Sequence, residues 1–287
     1  MGVRVSCITD PACVWSWAFE PVLRTLMVEF GDDLEWTFVM GGLAREYGPD
    51  AGQGPPGKDG MLVHWLEATA ESGMPTDPLA WQEAPLSSTY PACMAVKAAQ
   101  EQGGDAGQRY LRALREGILC RRRKLDTTEA LVEEARGAGL DVERFRIDLG
   151  SHAIVEAFGA DLERARDVPD VVRAADKVRC SRPAGEERVP FPTLRFDGQD
   201  REPTWTCGVR PLDFAREQAL AAGARPTGDP RPDVLEAIQR FGRMAPVEVA
   251  AVCDLPLPRA EAELAQLALD WRIKPLQVLG GRLWELA

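Results

Sequence analysis

Residues 2–8 alternate β-branched residues with small or polar ones and stop at Asp10-Pro11. Alternation with a period of two, closed by turn residues, predicts a first strand. The spacing then changes. Phe19, Leu23, Leu26 and Phe30 recur every three or four positions, which lines one face of a helix over 14–30 with Gly31 as its stop. Pro21 lies inside this pattern and, lacking an N–H, predicts a kink. Residues 34–40 read as a second strand closed by Gly41-Gly42.

From about 43 to 185 helical spacing dominates and no strand stands out, with helices predicted over 58–72, 91–102, 106–119, 127–138, 142–148 and 151–166. Strand character returns at 193–196 and 203–207 around Asp197-Gly198, a hairpin signal, followed by a helix over 211–221. Strand, helix, strand, helical excursion, hairpin and helix is the order of an α/β, thioredoxin-like fold interrupted by a large helical insertion. This places one domain at 1–223, with its insertion at 43–185, and a Pro- and Gly-rich linker at 224–232. Residues 233–287 add three helical spacings (233–241, 246–253 and 259–271) and two strand-like runs around Gly280-Gly281, a small C-terminal module of winged-helix type.

Charge narrows the partners. A formal net charge of −11 repels phosphate backbones and anionic lipid, which argues against nucleic acid or membrane as the main partner. The third helical segment of the tail carries Glu261, Glu263 and Asp270 against Arg259, so the C-terminal module reads as a packing or protein-interaction element. No window approaches the roughly 18 apolar residues of a membrane helix, and the first residues lack a signal-peptide pattern, so the expected location is cytoplasmic. Seven cysteines without regular spacing predict free thiols in a reducing compartment. His64 and His152 lack ligand spacing, so no metal site is expected.

Cys13 stands where the first strand gives way to the first helix. Unpaired N–H groups and the helix dipole there favour a thiolate, with a pKa lowered from about 8.5 into a range of about 3.5 to 7.5. The plainer reading is a small buried residue at a strand end.

The run Asp10-Pro11-Ala12-Cys13-Val14-Trp15-Ser16-Trp17, with Glu20-Pro21 one turn later, resembles the active-site turn of the DsbA-like thioredoxin-fold family, FrnE-type proteins in particular. Kappa-class glutathione transferases and 2-hydroxychromene-2-carboxylate isomerases are more distantly similar. His64-Trp65, Ser72-Gly73-Met74-Pro75, Ser88-Thr89-Tyr90-Pro91-Ala92 and Pro190-Phe191-Pro192-Thr193-Leu194 extend the resemblance to about residue 222. It implies that Cys13 is the nucleophile and that Pro192 is a cis-proline facing it, although Pro190 competes for that role. It also implies substrate contacts at Trp15, Phe191, Pro192 and Thr193, with the Phe191 backbone open to an extended segment.

One departure matters. The family's second cysteine is replaced by Ser16, so a mixed disulfide on Cys13 has to be resolved by an external thiol. Ser16 either donates a hydrogen bond to the Cys13 thiolate or is an idle helix-face serine. Glu20, on the same helix face, is either a proton relay or an exposed charge. Cys93 either resolves Cys13 or packs in the core.

The expectation is a cytoplasmic monothiol thiol-disulfide oxidoreductase acting on protein or small-molecule thiols and disulfides. It needs no resident cofactor and takes glutathione as a co-substrate. The alternatives are a non-catalytic adaptor holding a protein partner, and a glutathione-dependent isomerase or transferase.

Overall fold

The computed structural model describes residues 2–47, 57–180 and 185–287. The stretches of the expected insertion at 48–56 and 181–184 lie outside the described residues. Strand β1 (Val3–Thr9) leads into helices α1 (Val14–Ala18) and α2 (Glu20–Phe30) and strand β2 (Leu34–Met40). The kink expected at Pro21 is a break at Phe19, and Pro21 sits in the first turn of α2, where a missing N–H forfeits no helical bond.

The insertion then supplies α3 (Gly57–Ser72), α4 (Ala80–Glu83), α5 (Tyr90–Gln100), α6 (Ala106–Cys120), α7 (Thr128–Gly137), α8 (Val142–Leu149), α9 (His152–Arg166) and α10 (Asp170–Ala174). It is not wholly helical. Strands β3 (Arg179–Cys180) and β4 (Glu187–Arg188) form a two-residue antiparallel ladder that alternation is too short to reveal. The chain returns through β5 (Thr193–Asp197), β6 (Thr204–Cys207) and α11 (Leu212–Ala222).

The main sheet has the order β2-β1-β5-β6. Its centre, β1, pairs in parallel with β2 from Val3↔Leu34 to Thr9↔Met40, and antiparallel with β5 from Arg4↔Asp197 to Ile8↔Thr193. This register sets Thr193, and the proline before it, beside the end of β1 from which the Cys13 turn departs.

The C-terminal module comprises α12 (Val234–Phe241), α13 (Pro246–Val252), α14 (Leu257–Leu269) and a hairpin of β7 (Ile273–Val278) and β8 (Gly281–Leu286). Val234, Ile238, Val249, Val252, Leu264, Ile273 and Trp284 form its own apolar cluster, whereas Ala245, Val278 and Leu283 join the main core. Contact with the insertion is close: a Cβ at Gly73 would lie 2.6 Å from Val247 Cγ1, and the Gly280 amide donates to the Thr76 carbonyl at 2.9 Å. The segment 224–232 contains no helix or strand but is tied down. The Arg225 amide donates to Asp33 Oδ2 at 2.6 Å, the Thr227 amide to the Glu29 carbonyl at 2.8 Å, and Arg231 pairs with the Glu29 carboxylate. It is a strap held along α2 rather than a loose tether.

Candidate functional site

Cys13 is the N-cap of α1, with an extended backbone, and its amide donates to the Asp10 carbonyl at 3.2 Å. Asp10 organises the turn from beneath. Its Oδ1 accepts from the Ala12 amide at 2.8 Å, and its Oδ2 accepts from the Leu43 amide at 2.6 Å, the Thr89 hydroxyl at 2.7 Å and the Cys93 thiol at 3.3 Å. Cys93 is therefore committed to Asp10 inside the core. Burial first, and then the Asp10 charge, push its pKa well up, which suits packing rather than resolution of Cys13.

The Phe191–Pro192 peptide is cis, and the Cys13 thiol faces the Phe191 carbonyl at 3.8 Å. Where an open Phe191 backbone was expected, its carbonyl faces the Cys13 sulfur. The Phe191 ring is pinned as well. The Arg188 guanidinium stacks on it at 4.0 Å, and a Cβ at Gly41 would sit 2.1 Å from its Cζ, so only glycine leaves room for the ring there. Thr193 is fully buried, with its hydroxyl donating to the Pro190 carbonyl at 2.7 Å, which makes it a brace beneath Pro192.

Cys13 is only 5% exposed. Burial pushes its thiol above the ordinary range, against the hydroxyl and amide of Ser16 and the charge of Arg188, which draw it down, and with Asp10 adding to the rise. Two features oppose the expected thiolate: α1 has only five residues and a small dipole, and desolvation favours the neutral thiol. Ser16 is buried next to the cysteine, and its Oγ makes no hydrogen bond of ordinary geometry among the described residues.

Glu20 is not an exposed charge. It pairs with Arg115, with Arg112 at 3.3 Å and with Arg24 at 3.4 Å, all of them buried. Burial alone would raise its pKa, but Arg115, Arg112 and Arg24 together hold it below the usual carboxylate range. The network continues into the C-terminal module, where Arg112 donates twice to the fully buried Glu248, at 2.9 and 3.0 Å. Glu20 therefore ties α2 to α6 and α13. The i, i+4 spacings Glu20/Arg24 and Arg112/Glu116 were visible along the chain, but their convergence was not.

Above Cys13 lies a cleft of about 590 Å³ bounded by Trp15, Met61, His64, Trp65, Arg188 and Phe191. Trp15 forms part of its wall and donates from Nε1 to His64 Nε2 at 3.1 Å. Trp17 points the other way, fully buried beneath Arg112 and donating to the Pro75 carbonyl at 2.9 Å. Arg188 was missed from sequence, although a charged residue directly before the apolar run Val189-Pro190-Phe191-Pro192 was its signal. Among the described residues, no three His, Cys, Asp or Glu side chains are grouped to hold a metal ion, and no helix is long and apolar enough to cross a membrane.

A strand-to-helix turn with its cysteine facing a cis-proline loop is the site of a thioredoxin-fold protein. The family model described as Thioredoxin matches residues 7–171, more than half of the chain, and the chain belongs to that family. Solved structures share the fold. A crystallised protein from Nitrosomonas europaea superposes with a TM-score of 0.60 at 20% identity, covering 76% of this chain and 96% of its own. The cytosolic disulfide reductase DsbM from Pseudomonas aeruginosa superposes at 0.52 and 18%, covering 76% and 93%.

Among curated proteins, the chain is similar to the ClpXP adapter protein SpxH of Halalkalibacterium halodurans, 29% identical over 286 residues, covering 99% of this chain and 88% of the relative. The protein of the same name from Bacillus subtilis is 27% identical over 289 residues, covering 99% and 89%. These matches include the C-terminal module, which the family model does not reach.

Proposed function

We propose that this chain is a protein-binding adapter, in which a thioredoxin fold holds a partner instead of exchanging disulfides. The observation that carries the reading is Cys13 itself: a single buried thiol, pushed up by desolvation, opposite the Phe191 carbonyl and without a second cysteine at position 16. The naming of full-length relatives as ClpXP adapters supports it. Leu269 and Trp271, both strongly exposed at the end of α14, suit a module that contacts another protein.

The test measures binding of the purified full chain to ClpXP alongside thiol turnover with glutathione disulfide. Expected are saturable ClpXP binding that survives Cys13→Ser, and no turnover. Absence of ClpXP binding, together with a glutathione mixed disulfide and turnover that disappear in Cys13→Ala, overturns it. That outcome establishes the second reading, a monothiol oxidoreductase or glutathione-dependent isomerase or transferase, which the cleft beside Cys13 favours.

A further inference from the structure

The chain holds 45 acidic residues against 34 basic ones, yet among the described residues the cleft over Cys13 is lined by Lys177, Arg179 and Arg188 and by no Asp or Glu. Arg210 adds its charge to that of Lys177. Among the described residues the hydrogen bonds that Lys177, Arg179 and Arg188 donate go to carbonyls. Lys177 Nζ donates to Cys207 O at 2.9 Å, Arg179 Nη1 to Val178 O at 3.0 Å, and Arg188 Nη1 to Val189 O at 2.8 Å.

Arg188 is the informative member. It is 6% exposed, its Nε has no hydrogen-bond partner among the described residues, and its guanidinium carbon lies 4.0 Å from the centre of the Phe191 ring. Register places Arg179 directly across the β3–β4 ladder from it, and like charges opposed in this way destabilise a pair of strands. Within the chain Cys13, then Asp10 and Tyr47, act on Arg188, but neither Cys13 nor Tyr47 is a carboxylate, and both Asp10 oxygens are already taken by Ala12, Leu43, Thr89 and Cys93. A guanidinium withdrawn from water without a carboxylate is costly. The cost is recovered when a second molecule brings the anion.

Trp15, Met61, Trp65 and Val209 give the cleft an apolar wall, with Tyr47 and His64 beside them, and a volume of about 590 Å³ exceeds what a lone inorganic anion fills. We propose that this cleft receives an acidic segment of a partner protein, with a carboxylate on Arg188 flanked by Arg179 and Lys177, and an apolar side chain between Trp15 and Phe191. The inference rests on the adapter reading and locates one grip on the held protein.

The probe is a fluorescein-labelled peptide of alternating leucine and paired glutamates, titrated against the full chain by anisotropy, with a lysine-for-glutamate peptide as control. The glutamate peptide is expected to bind, more weakly as salt rises, and the lysine peptide not to bind. Arg188→Met should cut affinity by at least about tenfold, since it removes a desolvated charge partner, while melting at the same or a higher temperature. Arg179→Gln should show a smaller loss. Unchanged affinity in Arg188→Met with a lower melting temperature makes Arg188 structural and overturns the inference. Glutathione binding at Arg188 without glutamate-peptide binding overturns it too, in favour of a small anion. ClpXP binding without peptide binding removes the inference and leaves the adapter reading standing. Peptide binding without ClpXP binding supports the cleft assignment while the adapter reading falls.

Discussion

The two faces of the α1–α2 helix pair treat buried charge in opposite ways. Behind the pair, Glu20, Glu116, Glu248 and Glu285 meet Arg24, Arg112, Arg115 and Arg243, every one of them in an ion pair with another member of the set. In front of it, Arg188 and its neighbours crowd a cleft whose described walls offer no carboxylate. Buried charge that satisfies itself fastens elements together, here α2, α6 and α13. Buried charge left unsatisfied marks a surface made for something else.

Breaking the rear network should produce the largest effect. Glu248→Ala removes one of the two buried carboxylates that Arg112 and Arg24 share and should cost about 3 to 5 kcal/mol, read from the urea midpoint at constant slope. Similar denaturation of the two faces makes the comparison direct: Arg112→Met should destabilise by a similar amount, whereas Arg188→Met should be neutral or stabilising by up to about 4 kcal/mol. Losses of equal size at the two arginines would erase the distinction between the faces.

Between the faces lies the Phe191 ring. Gly41→Ala drives a methyl into it and should cost about 1 to 3 kcal/mol. The displaced ring also carries the Phe191 carbonyl away from sulfur, so alkylation of Cys13 by iodoacetamide, followed by peptide mass mapping, should accelerate. No acceleration would mean that Phe191 does not shield the thiol.

The smallest effects are set by pH, with an acid limb from Glu20 and an alkaline limb from the buried thiols. Glu20 has a lowered pKa in the folded chain, so its ion pairs contribute fully above the unfolded value of about 4.3 and are lost as pH falls through the still lower folded value. Stability should therefore drop below about pH 4. Thiols behave oppositely. Burial pushes Cys7 up to about 12 and raises Cys13 as well, so the neutral thiols contribute below the unfolded value of about 8.5, and that stability is lost as pH climbs toward 12. Urea midpoints across this range should show both limbs, and Cys13→Ser should shorten the alkaline one alone.

The fold was legible because its signals are local. Alternation at β1 and β2, spacing of three and four along α2 and Asp197-Gly198 in the hairpin each speak for their own segment, and chain order did the rest. The turn at Cys13 and the cis-proline at Pro192 were equally readable from short runs. Thr193 and Glu20 were found as positions but not as roles, because a brace and an ion pair are defined by partners 3 to 136 residues away along the chain, such as Pro190 for Thr193 and, within the network that Glu20 joins, Glu248 for Arg112.

By itself, then, the sequence determined the thioredoxin order of elements, the single thiol at the head of α1, the serine that replaces its partner and the acidic balance of the whole chain. Tertiary structure decided the rest: that Cys13 is buried with its pKa pushed up, that Glu20 is a fastening, and that an acidic protein sets Arg188 and Arg179 beside its Cys13 turn. The reason is that pKa and charge pairing depend on burial and on distance through space, and neither quantity is written in the spacing of residues along a chain.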